Sequence, residues 1–222
     1  MNNNELMKLI EKVAYKHDKW QVFLNFLELS AISIVNGFDL TNFKEREQRY
    51  VEIVSKYNAE EQGLFPKMLG ELVNMMENSS SNMQVEDILG KMFCELKSNK
   101  NDKSQYFTPQ SVANMMGELI GFNEYDIINK GFLEIYDSCC GSAVMSLGTA
   151  NVMLSKKYNY RKQLLVLATD IDIKCVHMAY IQLSLYGIPA VVIHRDELLM
   201  KEFSRWYTPI YVLDGWGNKS HF

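Results

Sequence analysis

The first half of the chain carries apolar residues at helical spacing. Three such stripes begin at Leu6, Val22 and Phe65. Clusters of turn-forming residues interrupt the pattern at 36–37, 59–63 and 78–82. We therefore predict about five helices, which together form a helical N-terminal domain over residues 1–98.

A polar segment without periodicity follows this helical half. It reads KSNKNDKS from Lys97 to Ser104, so we predict an exposed linker over residues 99–104. Thr108 and Pro109 then supply a cap and a favourable first residue for a new helix. The apolar stripe of that helix is expected to be buried and comprises Val112, Met115, Met116, Leu119 and Ile120.

After Gly131, short apolar runs alternate with amphipathic segments. The runs predict strands at 132–136, 164–168, 190–193 and 210–213. The intervening segments predict helices at 144–156 and 174–185. Strands that alternate with helices indicate an α/β fold with a parallel sheet covered on both faces, here over residues 105–222.

Composition and charge narrow the functional classes. The chain has 222 residues, of which 47% are hydrophobic and 23% charged, as in ordinary globular proteins. Residues 1–5 lack the features of a signal peptide, and no apolar run is long enough to span a membrane, so we expect a cytoplasmic protein. The net charge of −4 indicates that any contact with DNA uses a local patch or a partner.

The cysteines and histidines do not form a metal-binding pattern. The four cysteines and four histidines lack metal-ligand spacing, so we predict reduced thiols and no metal site. We expect Cys139 and Cys140 to be small buried residues in a tight turn.

Acidic residues follow three of the predicted strands: Asp137, Asp170 and Asp196. Ligands of open parallel sheets bind beyond the carboxyl ends of the strands, where these acids are expected. The turn Cys139–Ala143 contains only small residues, which let a ligand approach backbone amides; the alternative is a tight turn without a ligand. Asp170 is placed to bind two ribose hydroxyls while Asp172 caps the next helix, or both acids serve only that helix start.

Four motifs in order resemble the N6-adenine DNA methyltransferase family, in particular the modification subunits of type I restriction systems. They are QYFTP at 105–109, YDSCCGSA at 136–143, LATDID at 167–172 and HRDEL at 194–198. The family carries an F-T-P element, a D-P-x-C-G-S/T-G turn, an acid after the second strand and a G-D-x-L element. The resemblance implies an incomplete Rossmann-like methyltransferase sheet of about four strands, preceded by an all-helical domain.

The resemblance also implies S-adenosylmethionine as the cofactor. Phe107 and Thr108 would lie against its methionine end, where Asp137 and Gly141 also line the site. Asp170 would hold the ribose and Asp196 the adenine amine.

Two residues of the turn depart from the family pattern. Ser138 replaces a proline, and Ala143 replaces the last glycine. We expect the methyl group of Ala143 to crowd the cofactor.

The family's catalytic tetrapeptide, D/N/S-P-P-Y/F/W, is absent from the sequence, which contains no Pro-Pro pair. In the family it holds the amino group of a flipped adenine and stacks on the base. Asp214 and Trp216 stand at the corresponding place and are the remaining catalytic candidates. The alternative is that this segment is only a strand followed by a turn.

The resemblance implies methyl transfer to adenine N6 in DNA. Fewer strands fit before Phe222 than the family's sheet has, and no target-recognition region is evident. We therefore expect a protein partner that completes the sheet or supplies target recognition. The alternative is a catalytically inactive module of a restriction-modification or mobile-element system that binds S-adenosylmethionine, DNA or a partner. A methyltransferase for small molecules or proteins is a third hypothesis.

Overall fold

A computed structural model describes residues 5–98, 107–120 and 122–219 of the chain. Over residues 5–98 it has six helices, one more than predicted: α1 (Glu5–Val13), α2 (Lys19–Asn36), α3 (Phe43–Val54), α4 (Ala59–Gln62), α5 (Leu64–Ser81) and α6 (Ile88–Ser98). The extra helix is α4, which lies in the predicted break at 59–63. Asn58 and Glu61 form a capping box at its start and stabilise this single turn.

The second half contains alternating helices and strands. They are α7 (Gln110–Ile120), α8 (Glu124–Lys130), β1 (Leu133–Asp137), α9 (Val144–Ser155), α10 (Tyr160–Gln163), β2 (Leu164–Asp170), α11 (Ile173–Leu185), β3 (Ala190–Asp196), β4 (Lys201–Tyr207) and α12 (Pro209–Leu213). A short 3₁₀ helix, Trp216–Asn218, follows α12.

The described strands form one sheet in the order β1-β2-β3-β4. β1, β2 and β3 run parallel, as the sequence predicts, whereas β4 pairs with β3 in the antiparallel sense. The mixed α/β architecture with a four-stranded sheet confirms the predicted fold class.

The fourth predicted strand, 210–213, is wrong. These residues belong to α12, and the fourth strand of the sheet is β4, which ends at Tyr207, before α12 begins. Pro209 is the first residue of α12, a position that proline favours, whereas α7 begins at Gln110, one residue after Pro109. The Thr208 hydroxyl accepts the backbone N–H of Ala190 at 2.9 Å, which fixes the start of α12 beside the start of β3.

The predicted buried stripe of α7 is also wrong. Val112, Met115 and Leu119 are exposed, whereas the buried positions of α7 include Ala113 and Gly117. The side chain of Ile120 lies outside the described residues, and Met116 is partly buried.

The reason is a close contact between small residues of α7 and α9. A Cβ atom added to Gly148 of α9 would lie 2.5 Å from the backbone oxygen of Ala113. Because the backbones approach this closely, α7 turns its small face inward and its larger apolar side chains outward.

One hydrophobic core joins the helices of residues 5–98 to one face of the sheet. Helix α11, which covers that face, packs directly against α2. The predicted linker at 99–104 lies outside the described residues, and the domain boundary stays a prediction. A second, smaller apolar cluster covers the opposite face and includes Leu165, Val191, Ile193, Tyr211 and Trp216.

None of the helices described here is both long and apolar enough to cross a membrane.

Candidate functional site

Three predicted acids are the last residues of parallel strands. Asp137 ends β1, Asp170 ends β2 and Asp196 ends β3. The register pairs Asp137 with Ala168 and Asp170 with His194. All three acids therefore lie at the same carboxyl edge of the sheet, with Asp196 furthest along it.

Asp170 binds the turn that follows β1. Its Oδ2 accepts the backbone N–H of Gly141 at 2.9 Å, and its Oδ1 accepts that of Asp172 at 2.8 Å. The N–H of Cys140 donates to the Thr169 carbonyl at 2.9 Å. The turn after β1 is thus attached to the end of β2 by two hydrogen bonds.

Asp137 has a buried oxygen without a partner in this structure. Its Oδ2 lacks any hydrogen bond, while its Oδ1 has only a long contact of 3.4 Å with the N–H of Cys139. Burial raises the pKa of the Asp137 carboxyl, and the neighbouring charge of Asp170 raises it further. A cationic donor at this edge would give the buried oxygen a hydrogen-bond partner and would stabilise the ionised carboxylate.

Phe107 lies directly against Gly141. Gly141 has a φ of +55°, and a Cβ atom added to it would lie 2.8 Å from Cε1 of Phe107. Two features therefore require glycine at this position: the left-handed backbone conformation and the close contact with the Phe107 ring. Thr108 is exposed next to Phe107, whereas Gln105 and Tyr106 lie outside the described residues.

Ala143 does not occupy the position expected from the sequence. It is fully buried and belongs to the main core, so its methyl group points away from open space at the turn. The expectation that this methyl group crowds a ligand is wrong for this conformation. The replacement of glycine by Ala143 instead strains the backbone, because Ala143 has a φ of +71°, a left-handed conformation that favours glycine.

Asp196 organises the turn between β3 and β4. Its Oδ1 accepts the backbone N–H groups of Leu198 and Leu199, both at 3.0 Å. This is a typical acidic turn contact, and it accounts for the position of the side chain. The role of Asp196 toward an adenine amine stays a prediction.

The two catalytic candidates lie at the other end of the sheet. Trp216 is buried, and its ring packs edge-on against Phe132 with centroids 5.2 Å apart. Phe132 precedes β1, whereas Asp137 ends it, so the two ends of this strand are roughly 15 Å apart. Asp214 caps the carboxyl end of α12 and is exposed. The structure therefore does not bring Asp214 or Trp216 to the carboxyl edge.

The cysteines near the turn differ in exposure. Cys140 is buried as expected, but Cys139 is exposed, which corrects the prediction for that residue. Burial raises the pKa of the Cys140 and Cys175 thiols, so both stay protonated at neutral pH.

A group of buried polar residues beneath the turn is not predicted from the sequence. The Asp87 carboxylate accepts the Ser142 hydroxyl at 2.7 Å, and the Gln182 amide donates to Asp87 at 2.9 Å. The available signal was an acid three residues before Gly90 at the start of a helical stripe, which is the spacing of a helix cap.

A cavity of about 510 Å³ lies along the free edge of β1. No described strand pairs with β1 on the side away from β2. The cavity reaches the carboxyl edge at Asp137, and Ser146 of α9 also lines it. The Ser146 hydroxyl is buried and lacks a hydrogen-bond partner in the structure.

The residues at the carboxyl edge fit S-adenosylmethionine. The unpartnered oxygen of Asp137 matches the ammonium group of its methionine portion. Each oxygen of Asp170 accepts one backbone N–H and retains a lone pair for a ribose hydroxyl. Gly141 leaves the turn without a side chain at the point where a ligand would approach.

Parallel strands with acids at successive carboxyl ends and a glycine turn are the arrangement found in α/β proteins that bind nucleotide-like ligands. A family model described as N-6 DNA Methylase matches residues 84–212, more than half of the chain. The chain belongs to this family, which confirms the family predicted from the motifs.

Two solved structures are similar to the chain. One, from Listeria monocytogenes, is assigned as a class I S-adenosylmethionine-dependent methyltransferase; it is 13% identical with a TM-score of 0.43, over 95% of this chain and 68% of that one. The other is the methyltransferase subunit of a type I restriction-modification system from Streptococcus thermophilus. It is 17% identical with a TM-score of 0.41, and the match covers 87% of this chain but only 39% of that subunit. No curated protein matches the sequence significantly.

Proposed function

We propose that this protein binds S-adenosylmethionine at the turn Cys139–Ala143 and forms the cofactor-binding part of a DNA adenine-N6 methyltransferase. The observation that carries the proposal is the pair of acids around Gly141. Asp170 holds the amide of Gly141, and Asp137 presents a buried oxygen that has no partner. Membership of the N-6 DNA methylase family supports DNA adenine as the substrate.

Each residue of the turn has a distinct role in this proposal. Asp137 accepts a hydrogen bond from the ammonium of the methionine portion, and Asp170 accepts the ribose hydroxyls. Phe107 and Thr108 form the wall beside Gly141, and Asp196 accepts the adenine amine of the cofactor. When bound, S-adenosylmethionine supplies an electrophilic methyl group.

The groups that hold the target adenine come from a protein partner in this proposal. The chain has no Pro-Pro pair, and Asp214 and Trp216 lie far from Asp137. Two features along β1 support a partner that adds a strand there: the free strand edge and the unpartnered Ser146 hydroxyl. The partner could also cover the exposed apolar side chains of α7, which are Val112, Met115 and Leu119.

Calorimetric titration with S-adenosylmethionine tests cofactor binding. We expect Asp137→Ala and Asp170→Ala to raise the Kd at least about tenfold, because each removes a charge-assisted hydrogen bond. Asp214→Ala is the matched control, since it removes an exposed acid at the other end of the sheet. Lack of binding by the wild type would refute every methyltransferase hypothesis for this chain.

Transfer of a labelled methyl group to unmethylated DNA tests the reaction. We expect no transfer by the chain alone, and transfer at adenine N6 when a candidate partner protein that supplies the adenine-binding groups is added. The alternative function is an inactive module that binds cofactor or DNA without catalysis, which the position of Trp216 favours. If the protein binds the cofactor but transfers no methyl group, either alone or with the added protein, that alternative would be established.

A further inference from the structure

The start of α6 lies directly beneath the turn that carries Gly141. Asp87 precedes this helix and is buried, with 3% of its surface exposed. Its Oδ1 accepts the backbone N–H of Gly90 at 2.8 Å and the Gln182 amide at 2.9 Å. Its Oδ2 accepts the Ser142 hydroxyl at 2.7 Å. Ser142 is the residue after Gly141, so this carboxylate reaches the turn from the helical half of the chain.

Gln182 closes the network from the other side. Its amide nitrogen also donates to the Ser142 carbonyl at 2.7 Å. Its amide oxygen accepts the backbone N–H groups of Ile88 and Leu89 at 2.9 and 3.1 Å, which caps α6. Because these bonds use both polar side-chain atoms of Gln182 and both oxygens of Asp87, the network has one well-defined arrangement.

Gly90 permits this close approach. A Cβ atom added to it would lie 2.5 Å from the Ser142 hydroxyl oxygen and 2.2 Å from an oxygen of Asp87. Any side chain at this position would therefore displace either the carboxylate or the turn. The sequence places a glycine in the first turn of a helix, where it costs about 1 kcal/mol relative to alanine, to allow the contact.

α6 makes a second contact with the turn, through aromatic rings. Phe93 lies three residues after Gly90, and its ring packs edge-on against Phe107 with centroids 5.1 Å apart. Phe107 in turn lies against Gly141. The helix therefore supports Ser142 from below with a carboxylate and Gly141 from the side with a ring.

We propose that Asp87 is a positioning residue of the cofactor site: through Ser142 it fixes the turn in which Gly141 binds Asp170. Its effect on the cofactor rests on the function proposed above, whereas its effect on the turn does not. A residue of the helical half, fifty-five positions before Ser142, thereby sets the geometry of the turn.

Asp87→Asn is the sharpest test variant. The remaining oxygen of asparagine keeps the bonds from Gly90 and Gln182, and the Ser142 hydroxyl then faces an NH₂ group, so its bond to a carboxylate oxygen is replaced by a weaker neutral bond at most. Tyr186→Phe is the matched control: it removes two hydrogen bonds between the Tyr186 hydroxyl and the backbone of Glu86, next to Asp87, without touching the turn.

Two measurements are made on each variant. Hydrogen exchange of the Gly141 amide in the ligand-free protein reports the turn itself, and calorimetry reports the Kd for S-adenosylmethionine. For Asp87→Asn we expect both to increase about tenfold, as for the weakening of one charge-assisted hydrogen bond. For Tyr186→Phe we expect both to stay within about twofold, because its cost falls on overall stability. Ser142→Ala removes the same bond from the other side and replaces Asp87→Asn if that variant does not fold.

The outcomes separate the two proposals. If the wild type does not bind the cofactor but Asp87→Asn still accelerates exchange at Gly141, the proposed function fails and the positioning role stands. If the wild type binds and Asp87→Asn changes neither measurement, the positioning role is overturned and the function stands. Equal acceleration at Gly141 in Tyr186→Phe would also overturn it, since the effect would then reflect stability alone.

Discussion

Asp170 accepts the backbone N–H of Gly141 at 2.9 Å with one oxygen and that of Asp172 at 2.8 Å with the other. The first bond holds the turn after β1, and the second shapes the turn after β2. One carboxylate thus connects two neighbouring turns at the edge where the cofactor is proposed to bind. An amide side chain cannot do the same, because only one of its two terminal atoms accepts hydrogen bonds.

We predict that Asp170→Asn lowers the free energy of unfolding by about 1–3 kcal/mol, because one backbone N–H then faces an NH₂ group. Urea denaturation of the ligand-free protein measures the change. The same variant should weaken S-adenosylmethionine binding, since the turn loses one of its attachments.

Asp172→Asn is the control for Asp170→Asn. Asp172 caps α11 by accepting the N–H of Lys174 at 3.0 Å, and asparagine is an equally good cap. Its effect on stability should stay below about 1 kcal/mol, including the loss of its partly exposed ion pair with Lys174. Equal destabilisation by the two variants would show that the double acceptor geometry of Asp170 is unimportant.

Asp137→Asn should stabilise the ligand-free protein while weakening cofactor binding. Burial and the charge of Asp170 raise the pKa of Asp137 above its ordinary value of 3.8. When the pKa of a carboxyl is raised in the folded state, the free energy of unfolding falls as the pH rises from the ordinary pKa through the folded-state pKa. The ionised Asp137 therefore destabilises the folded protein at pH 7. Removing the charge should raise the free energy of unfolding by about 0.5–2 kcal/mol, which is the usual gain from a single stabilising substitution.

Thermal unfolding at two pH values tests this prediction for Asp137. The gain of Asp137→Asn should be present at pH 7 and disappear below the ordinary pKa, where the wild-type carboxyl is protonated in both states. A gain that persists unchanged in acid would assign it to packing rather than to charge. A variant with unchanged affinity for S-adenosylmethionine would remove Asp137 from the proposed binding site.

Local patterns in the sequence predict much of the sheet. β1, β2 and β3, with α9 and α11, follow from short apolar runs that alternate with helical stripes, and the acids follow from the strand ends. The single turn of α10 is too short to show a helical period. The pattern of α12 predicts a strand because its five residues are apolar and too few to show a helical period. The sequence does not predict β4, because its charged residues hide the alternation.

Long-range contacts explain the remaining differences. The apolar stripe of α7 predicts a buried face because apolar residues are usually buried, but the contact between Ala113 and Gly148 selects the opposite face. The pairing of Asp87 with Ser142 joins residues fifty-five positions apart, so no local pattern reveals it.

His177 should make the protein sensitive to acid. It lies in α11, packs against Trp206 and is buried, and burial lowers its pKa to about 4 from the ordinary 6.5. The unfolded chain therefore binds a proton that the folded protein does not, and stability is lost as the pH falls from about 6.5 to about 4. We expect the free energy of unfolding to fall by about 3 kcal/mol in total over this pH range.

Unfolding measured at several pH values, for the wild type and for His177→Leu, isolates this contribution. The variant should lose less stability than the wild type over that pH range. His17→Gln serves as the control, because His17 is only partly buried and should leave the acid sensitivity in place. Parallel pH profiles for the wild type and His177→Leu would exclude His177 as the cause.

Ala143→Gly should cost much less stability than Ala150→Gly, although both alanines are fully buried at or in α9. Each variant loses a buried methyl group, worth about 0.8 kcal/mol, and Ala150→Gly also places glycine in a helix at about 1 kcal/mol. Ala143 has a φ of +71°, so its glycine variant recovers roughly 1–2 kcal/mol of backbone strain. We therefore expect Ala143→Gly to be neutral or slightly stabilising and Ala150→Gly to destabilise by about 2 kcal/mol, as measured by urea denaturation. Equal losses would show that Ala143 is not strained, and the replacement of the family glycine would then have no energetic cost.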